Sequence, residues 1–480
     1  MRIPKALLLL SGWLLCLPAI AGAQTREAPA HVEPHVRAYL AAVNEGEAAA
    51  LAFRNDHVAE AFAADVPERP FLGYFATQRR VTGGVELVEW RSAGDDAVDL
   101  LLTDRIYGAR HGLHLGFDPA AENRIAVFEP GPEPEWAVRN GPGLSAPDVG
   151  ARTLDLLRRG CAAGVFSGAV LVARGDEVLS TGACGEANRR YGVPNTARTR
   201  FNLGSMNKMF TAVAVMQLVE AGRVRLDDPL SLYADESWLP AAISGKITVR
   251  HLLTHTSGLG NFLSETFENS SRLRFREVED FKSLIAESSL AFEPGTGFRY
   301  SNSGMLLLGH VIEAASGDSY FDYVREHIFE PAGMSDTDSW PMDEPQPDLA
   351  IGYAWAPDGP FGWRENTFEH VFRGTPAGGG YSTVGDLHRF ARALETDTLI
   401  SAGSRSWLWT DQPPNDYGGG FMIRVSSAGR IVGHDGVFPG ISSRLDIYID
   451  KDYVVVVLGN QDAASAGLGS AIRGLIAETR

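Results

Sequence analysis

The chain has 480 residues, a hydrophobic fraction of 44%, a charged fraction of 21% and a formal charge of −17. The length exceeds one typical core and points to two domains, and the composition excludes a fibrous repeat or a wholly disordered chain. The acidic balance repels polyanions, which excludes nucleic acid and anionic membranes as expected partners.

The first residues read as an export leader. Arg2 and Lys5 form a short positive region, residues 6–20 an apolar run, and Ala21-Gly22-Ala23 a small-residue cleavage site. The run is shorter than the about 20 apolar residues of a spanning helix. Cleavage after Ala23 is therefore expected, leaving residues 1–23 as a signal peptide and the mature chain periplasmic or secreted; the other reading is an uncleaved anchor. Between 32 and 64 the apolar positions Val36, Tyr39, Leu40, Val43, then Leu51, Phe53, Val58 and Phe62 fall at helical spacing and predict two helices. After Pro67 the pattern alternates, predicting strands over 85–90, 97–102, 111–117 and 124–128. Together they make a small α+β domain over 31–130. The turn formers Pro130-Gly131-Pro132-Glu133-Pro134 and Asn140-Gly141-Pro142-Gly143 mark a linker over 131–147.

A second domain, 148–480, opens with a helix over 151–161 and a hairpin with strands over 168–173 and 178–183. It closes with strands near 420–425, 443–450 and 453–458 and a helix over 464–478. Strands at both ends and helices between them predict one antiparallel sheet, flanked by terminal helices, with an inserted helical lobe. Export allows Cys161 and Cys184, on adjacent elements, to form a disulfide; the other reading is two buried small apolar residues.

Three segments carry candidate chemistry. Ser205-Met206-Asn207-Lys208 leads into an apolar helix, so Ser205 sits at a helix N-terminus with Lys208 on the same face. A serine hydroxyl needs a base within reach, and a lysine serves only if its pKa is lowered. Taken alone, the pair also reads as an N-cap with a surface lysine. Tyr300-Ser301-Asn302 puts a phenol, able to share the serine proton, two residues from an amide able to bind a substrate. Gly433-His434-Asp435-Gly436-Val437 is read as a loop whose glycines let backbone approach a ligand. The Ser205 and Val437 amides are candidates for an oxyanion hole. His251 and His255 are four apart, but no nearby carboxylate completes a metal set.

In this order, the three motifs resemble those of the serine β-lactamase and DD-peptidase superfamily. The branch is the one with class C β-lactamases, DD-carboxypeptidases, D-amino-acid peptidases and family VIII esterases. The stretches from His251 to Leu259 and from Gly378 to Thr383 also look like that family and are read as structural. The resemblance covers about 150–480. It implies an α/β (α+β) serine β-lactamase-like fold and a serine hydrolase with no cofactor and no metal. It also implies catalytic Ser205, Lys208 and Tyr300, and substrate-binding Asn302, His434 and Gly436. The 31–130 domain resembles, in architecture, cone-shaped cystatin-like accessory domains found with some members. His434 departs from class C β-lactamases, which have lysine there, and a neutral or partly charged imidazole binds a carboxylate less firmly than a fixed ammonium. The expected activity is hydrolysis of an amide or ester in a small-molecule or peptide acyl substrate, of the DD-carboxypeptidase, D-aminopeptidase or esterase type. The alternatives are a β-lactamase, a penicillin-binding sensor module with little turnover, or a scaffold with a vestigial site.

Overall fold

Apolar residues three and four apart wind the first described residues into helices with one buried face. A computed structural model describes residues 31–479 apart from 132, 135, 138–142, 287, 360, 413 and 414. The expected signal peptide and part of the expected linker lie outside the described residues. Helices α1 (Val32–Asn44), α2 (Glu47–His57), α3 (Glu60–Asp65) and α4 (Glu68–Thr82) pack on an antiparallel sheet. Its strands, β1 (Val85–Ser92), β2 (Ala97–Asp104), β3 (Arg110–Asp118) and β4 (Arg124–Gly131), lie in sequence order. Val36, Tyr39, Phe53, Phe71 and Phe75 meet Leu100, Leu115 and Ile125 in one core. The expected two helices are thus four. In particular α4 occupies the region read as alternating: Pro70 falls in its first turn, where no helical N–H is needed, and Phe71 and Phe75 supply the buried stripe.

The second core is built on a six-stranded antiparallel sheet. The helix α5 (Ala146–Ala162) starts at Ser145, whose side chain accepts from the Asp148 N–H in a capping box. It leads into β5 (Gly168–Arg174) and β6 (Glu177–Cys184). The helical lobe follows, including α6 (Asn207–Glu220), α7 (Asn302–Ser316) and α8 (Val384–Glu395). The chain then returns through β7 (Met422–Ser426), β8 (Gly429–Phe438), β9 (Ile441–Tyr448) and β10 (Tyr453–Gly459) to α9 (Ala464–Ala477). Strand order is β7-β8-β9-β10-β5-β6. Period-two alternation divides the sheet's side chains between two cores. Val455 and Val457 face α5 and α9, while Val454, Val456 and Leu458 face the helical lobe.

Residues 433–437, expected as a loop, lie in strand β8, paired with β9 from Ile431↔Tyr448 to Phe438↔Ile441. Glycine-rich sequence has low strand propensity, but here the ladder and close backbone packing override it. Tyr107, in the β2–β3 turn, wedges the N-terminal layers onto α5 and α9; a Cβ on Gly160 would fall 2.2 Å from its hydroxyl and one on Gly467 2.7 Å from its ring. Among the described residues no helix is long and apolar enough to cross a membrane.

Cys161, at the end of α5, and Cys184, at the end of β6, are joined by a disulfide closing a separation of 23 residues. Chain-entropy reasoning assigns a loop of this length about 3 kcal/mol. The double variant Cys161→Ser/Cys184→Ser is expected to unfold at a lower urea midpoint than the oxidised parent, by a margin that vanishes when the parent is reduced.

Candidate active site

Ser205 sits in a single tight turn, Gly204–Met206, that runs directly into α6. Gly204 has φ 51°, a left-handed conformation that favours glycine. Gly436 on β8 faces this turn so closely that a Cβ there would lie 1.8 Å from the Leu203 carbonyl oxygen. Strand β7 pairs with β8 only as far as Gly433. The β8 edge from His434 to Phe438 therefore has β9 on one side and packs against the serine turn. The Gly378–Gly380 segment lies under it: the Gly379 N–H donates to the Gly204 carbonyl at 3.0 Å and the Leu203 N–H to the Gly380 carbonyl at 2.7 Å.

Lys208, one turn into α6, is completely buried. Its amine donates to the Ala377 carbonyl at 2.5 Å and lies 4.7 Å from the centre of the Tyr300 ring. Burial lowers its pKa well below the usual lysine value, and no neighbouring carboxylate opposes the shift. Tyr300 hydrogen-bonds Ser205, and burial raises its pKa, an effect the Ser205 bond only partly offsets. Burial thus pushes both groups towards their uncharged forms: an amine whose ammonium is disfavoured beside a protonated phenol, itself hydrogen-bonded to the half-buried Ser205.

Asn302 opens α7, and its amide donates to the Asn261 side-chain oxygen at 3.0 Å. The Val437 amide nitrogen lies beside Gly204, 3.2 Å from where its Cβ would be, and the Val437 side chain is exposed. His434 is completely buried. Its Nδ1 is 2.6 Å from the Asp435 carbonyl oxygen, which can only accept, so Nδ1 carries the proton. Nε2, at 3.1 Å, then accepts from the Tyr417 hydroxyl. Burial, then the nearby Lys208, lowers the His434 pKa to about 3. The ring is neutral with both nitrogens engaged, so this position supplies no fixed positive charge. Asp435 points to the other face, where Arg424 at 2.7 Å and Arg444 at 3.0 Å hold its carboxylate. Burial alone would push that carboxyl up; the two guanidiniums outweigh it and hold the group below the usual carboxylate range.

The structure therefore brings Ser205, Lys208, Tyr300, Asn302, His434, Gly436 and Val437 to one site. Tyr417, Asn261 and the Ala377 carbonyl were missed. Tyr417 opens the Gly418–Gly420 run as Tyr381 follows Gly378–Gly380, a pattern silent about chemistry. His251 and His255 do not converge: His251 Nδ1 accepts from the Thr248 N–H and His255 Nδ1 from the Ser301 N–H. Among the described residues no group of three or more His, Cys, Asp or Glu side chains is placed to hold a metal ion.

Residues 153–477 match the model of the family described as Beta-lactamase. The chain belongs to the beta-lactamase family. It is 32% identical over 314 residues to Penicillin-binding protein 4* of Bacillus subtilis (strain 168), across 62% of this chain and 68% of that protein. Over 178 residues it is 36% identical to Esterase EstB of Burkholderia gladioli, across 35% of this chain and 45% of that one. The solved structure of D-amino acid amidase from Ochrobactrum anthropi SV3 aligns with a TM-score of 0.58 at 26% identity, over 68% of this chain and 97% of that one. The six-stranded sheet, its terminal helices and the inserted lobe are the beta-lactamase-like fold, and the chain is a beta-lactamase-related serine hydrolase.

Two outcomes follow for this beta-lactamase family member. A methyl at Gly436 must push β8 off the serine turn, and displacement of about 1 Å at a reacting centre costs on the order of a hundredfold in rate. Gly436→Ala is expected to slow covalent labelling of Ser205 by a fluorophosphonate by that factor. Lys208 carries the opposite trade. Its folded pKa lies below the unfolded value of 10.5, so folding must strip a proton from it. This penalty is full below the folded pKa and disappears as pH rises past the unfolded one. Lys208→Met is therefore expected to melt higher than the parent at pH 7, with the gain shrinking towards pH 10.5, while labelling is lost.

Proposed function

We propose that the protein is an exported hydrolase that cleaves an amide or ester through an acyl-enzyme on Ser205, of the D-amino-acid peptidase or esterase type. The observation that carries this reading is the buried relay: Ser205 bonded to a protonated Tyr300, with the Lys208 amine, its pKa pulled well down by burial, against the same ring. Ser205 Oγ bonds to the substrate carbonyl carbon. Its proton passes to the Tyr300 oxygen while the Tyr300 proton passes to Lys208 Nζ, so no phenolate is needed at rest. The carbonyl electron pair moves to its oxygen, which the Ser205 and Val437 amides stabilise at the N-terminal end of α6. Collapse expels the amine or alcohol, which takes the proton back along the same path. Water then attacks the acyl carbon, giving its proton to the same Tyr300–Lys208 relay, and collapse returns that proton to Ser205 Oγ as the acid leaves.

Asn302 binds the acyl side of the substrate, and Gly436 lets it lie against the β8 edge. His434 shapes the wall without charge, which favours amides and esters over substrates needing a fixed ammonium. The amidase and esterase among the similar proteins support that range. The Cys161–Cys184 disulfide supports an oxidising compartment, consistent with the leader-like first 23 residues. We assign residues 31–130 to an accessory domain, and the acidic chain to small-molecule or peptide substrates rather than nucleic acid or anionic membranes.

Intact-protein mass spectrometry with a fluorophosphonate and with penicillin tests the reading. A single adduct, lost in Ser205→Ala, is expected, together with turnover of a D-phenylalanine amide or a p-nitrophenyl ester that falls at least about a thousandfold in that variant. A penicillin adduct that persists for hours with neither substrate turned over points instead to a penicillin-binding sensor. Labelling that survives Ser205→Ala overturns the assignment.

A further inference from the structure

His255 sits outside the relay but grips it from both sides. Its carbonyl accepts from the Arg299 N–H at 2.9 Å. Its Nδ1 accepts from the Ser301 N–H at 3.2 Å. The residue between those two donors is Tyr300. The His255 ring also lies 4.4 Å from the Tyr300 ring and 4.8 Å from the Tyr417 ring. Backbone and side chain of one residue thus fix the amides on either side of the relay phenol, and the imidazole packs on the phenol itself.

Three features set this apart from ordinary core packing. His255 has φ 57°, a left-handed conformation that is uncommon for any residue other than glycine. Its carbonyl and Nδ1 reach the same short segment from that conformation. It is completely buried, and because Nδ1 accepts, Nε2 carries the proton; that N–H has no hydrogen-bond partner among the described residues. An unsatisfied buried donor is a cost that an apolar residue at this position would not carry. The wider joint is also stitched: the Gly295 N–H donates to the Thr256 carbonyl at 2.8 Å, the Ala291 N–H to the Gly258 carbonyl at 2.9 Å, and the Ser301 hydroxyl to the Gly260 carbonyl at 2.7 Å. These bonds hold the two segments together, but none reaches the amides that flank Tyr300.

We infer that His255 is a positioning residue for the reaction, a clamp that sets the Tyr300 hydroxyl between Ser205 and Lys208 through the Arg299 and Ser301 amides. The inference rests on the reading of Tyr300 as proton relay. It makes no use of a charge on His255. The clamp controls the rate of proton transfer from Ser205 and leaves substrate binding, at Asn302 and the β8 edge, to other residues.

Asparagine and glutamine separate the parts of this role. Asn tolerates the left-handed backbone and places an acceptor oxygen where Nδ1 stands. Gln reaches towards the Nε2 position and leaves the Ser301 N–H unpaired. The full chain carrying His255→Asn, His255→Gln or Ser205→Ala is compared with the parent for hydrolysis of a p-nitrophenyl ester and for labelling by a fluorophosphonate, after melting curves confirm folding. His255→Gln is expected to lower kcat and the labelling rate on the order of a hundredfold, the effect of a small misplacement at the reacting centre, with KM within about threefold. His255→Asn is expected to recover at least about tenfold of that loss. Equal loss in both variants, or a folded Gln variant that labels like the parent, overturns the clamp. Should the Gln variant fail to fold, the Asn variant decides: a kcat about a hundredfold below the parent overturns it, and one within about tenfold at unchanged KM supports it. Activity surviving in Ser205→Ala overturns the reading of the site, and the clamp with it, whereas a dead Ser205→Ala beside an unimpaired His255→Gln overturns the clamp alone.

Discussion

Burying the Lys208 amine with, among the described residues, no carboxylate beside it removes the hydration of an ammonium and returns only a backbone carbonyl and the face of a ring. The amine is therefore pushed towards its uncharged form, and the rest of the site follows from that. A neutral amine can accept a proton at pH 7, and the same dry surroundings keep Tyr300 protonated. Two groups whose ordinary pKa values nearly coincide are pushed apart, one down and one up, by the same leading cause, burial, which the charge of Asp435 reinforces at Tyr300. The Ala377 carbonyl, 2.5 Å away, holds the amine in place without restoring its charge.

That environment needs backbone, not side chains, around the serine. Residues 204, 378 and 436 are far apart in the chain, yet they meet because all are glycine. A Cβ on Gly378 would sit 2.6 Å from the Gly204 carbonyl oxygen, and one on Gly436 closer still to that of Leu203. Three strands of backbone can then converge on the N-terminal end of α6, where partial positive charge and free amides favour a developing oxyanion.

The motifs bearing Ser205, Lys208, Tyr300 and His434 were legible because the chemistry demands particular residue types in order. So were β5, β6, β9, β10 and α9, whose apolar runs show their period. Helix α4 was not, because Pro67 and Pro70 suggest a break, although proline in a first turn is no obstacle. Strand β8 was not, because its glycines serve close packing against the serine turn and hide the strand period. Tyr417 and the Ala377 carbonyl could not be read at all. The first is placed by a bond to His434 across 17 residues and the second by one to Lys208 across 169. The His255 clamp was invisible for the same reason: its partners lie more than forty residues on, at Arg299 and Ser301.

The chain is acidic, at −17, yet the carboxylate next along β8, Asp435, is turned away from the Lys208 side and acts on Tyr300 only through space, and strand geometry accounts for this. Successive residues of β8 face opposite sides of the sheet. His434 and Gly436 take the side of Lys208, and Asp435 takes the other. There Asp435 joins a chain of opposite charges, with Arg444 and Arg424 on it, Asp446 bonded to Arg424 at 3.2 Å, and Arg473 of α9 reaching Asp446 at 3.4 Å. Each carboxylate in that chain is matched by guanidiniums on its own face. A one-residue slip of β8 would turn Asp435 towards Lys208, give the amine a counter-ion and raise its pKa. The register from Ile431↔Tyr448 to Phe438↔Ile441 thus keeps the Asp435 carboxylate off the Lys208 side as well as setting the shape of the sheet.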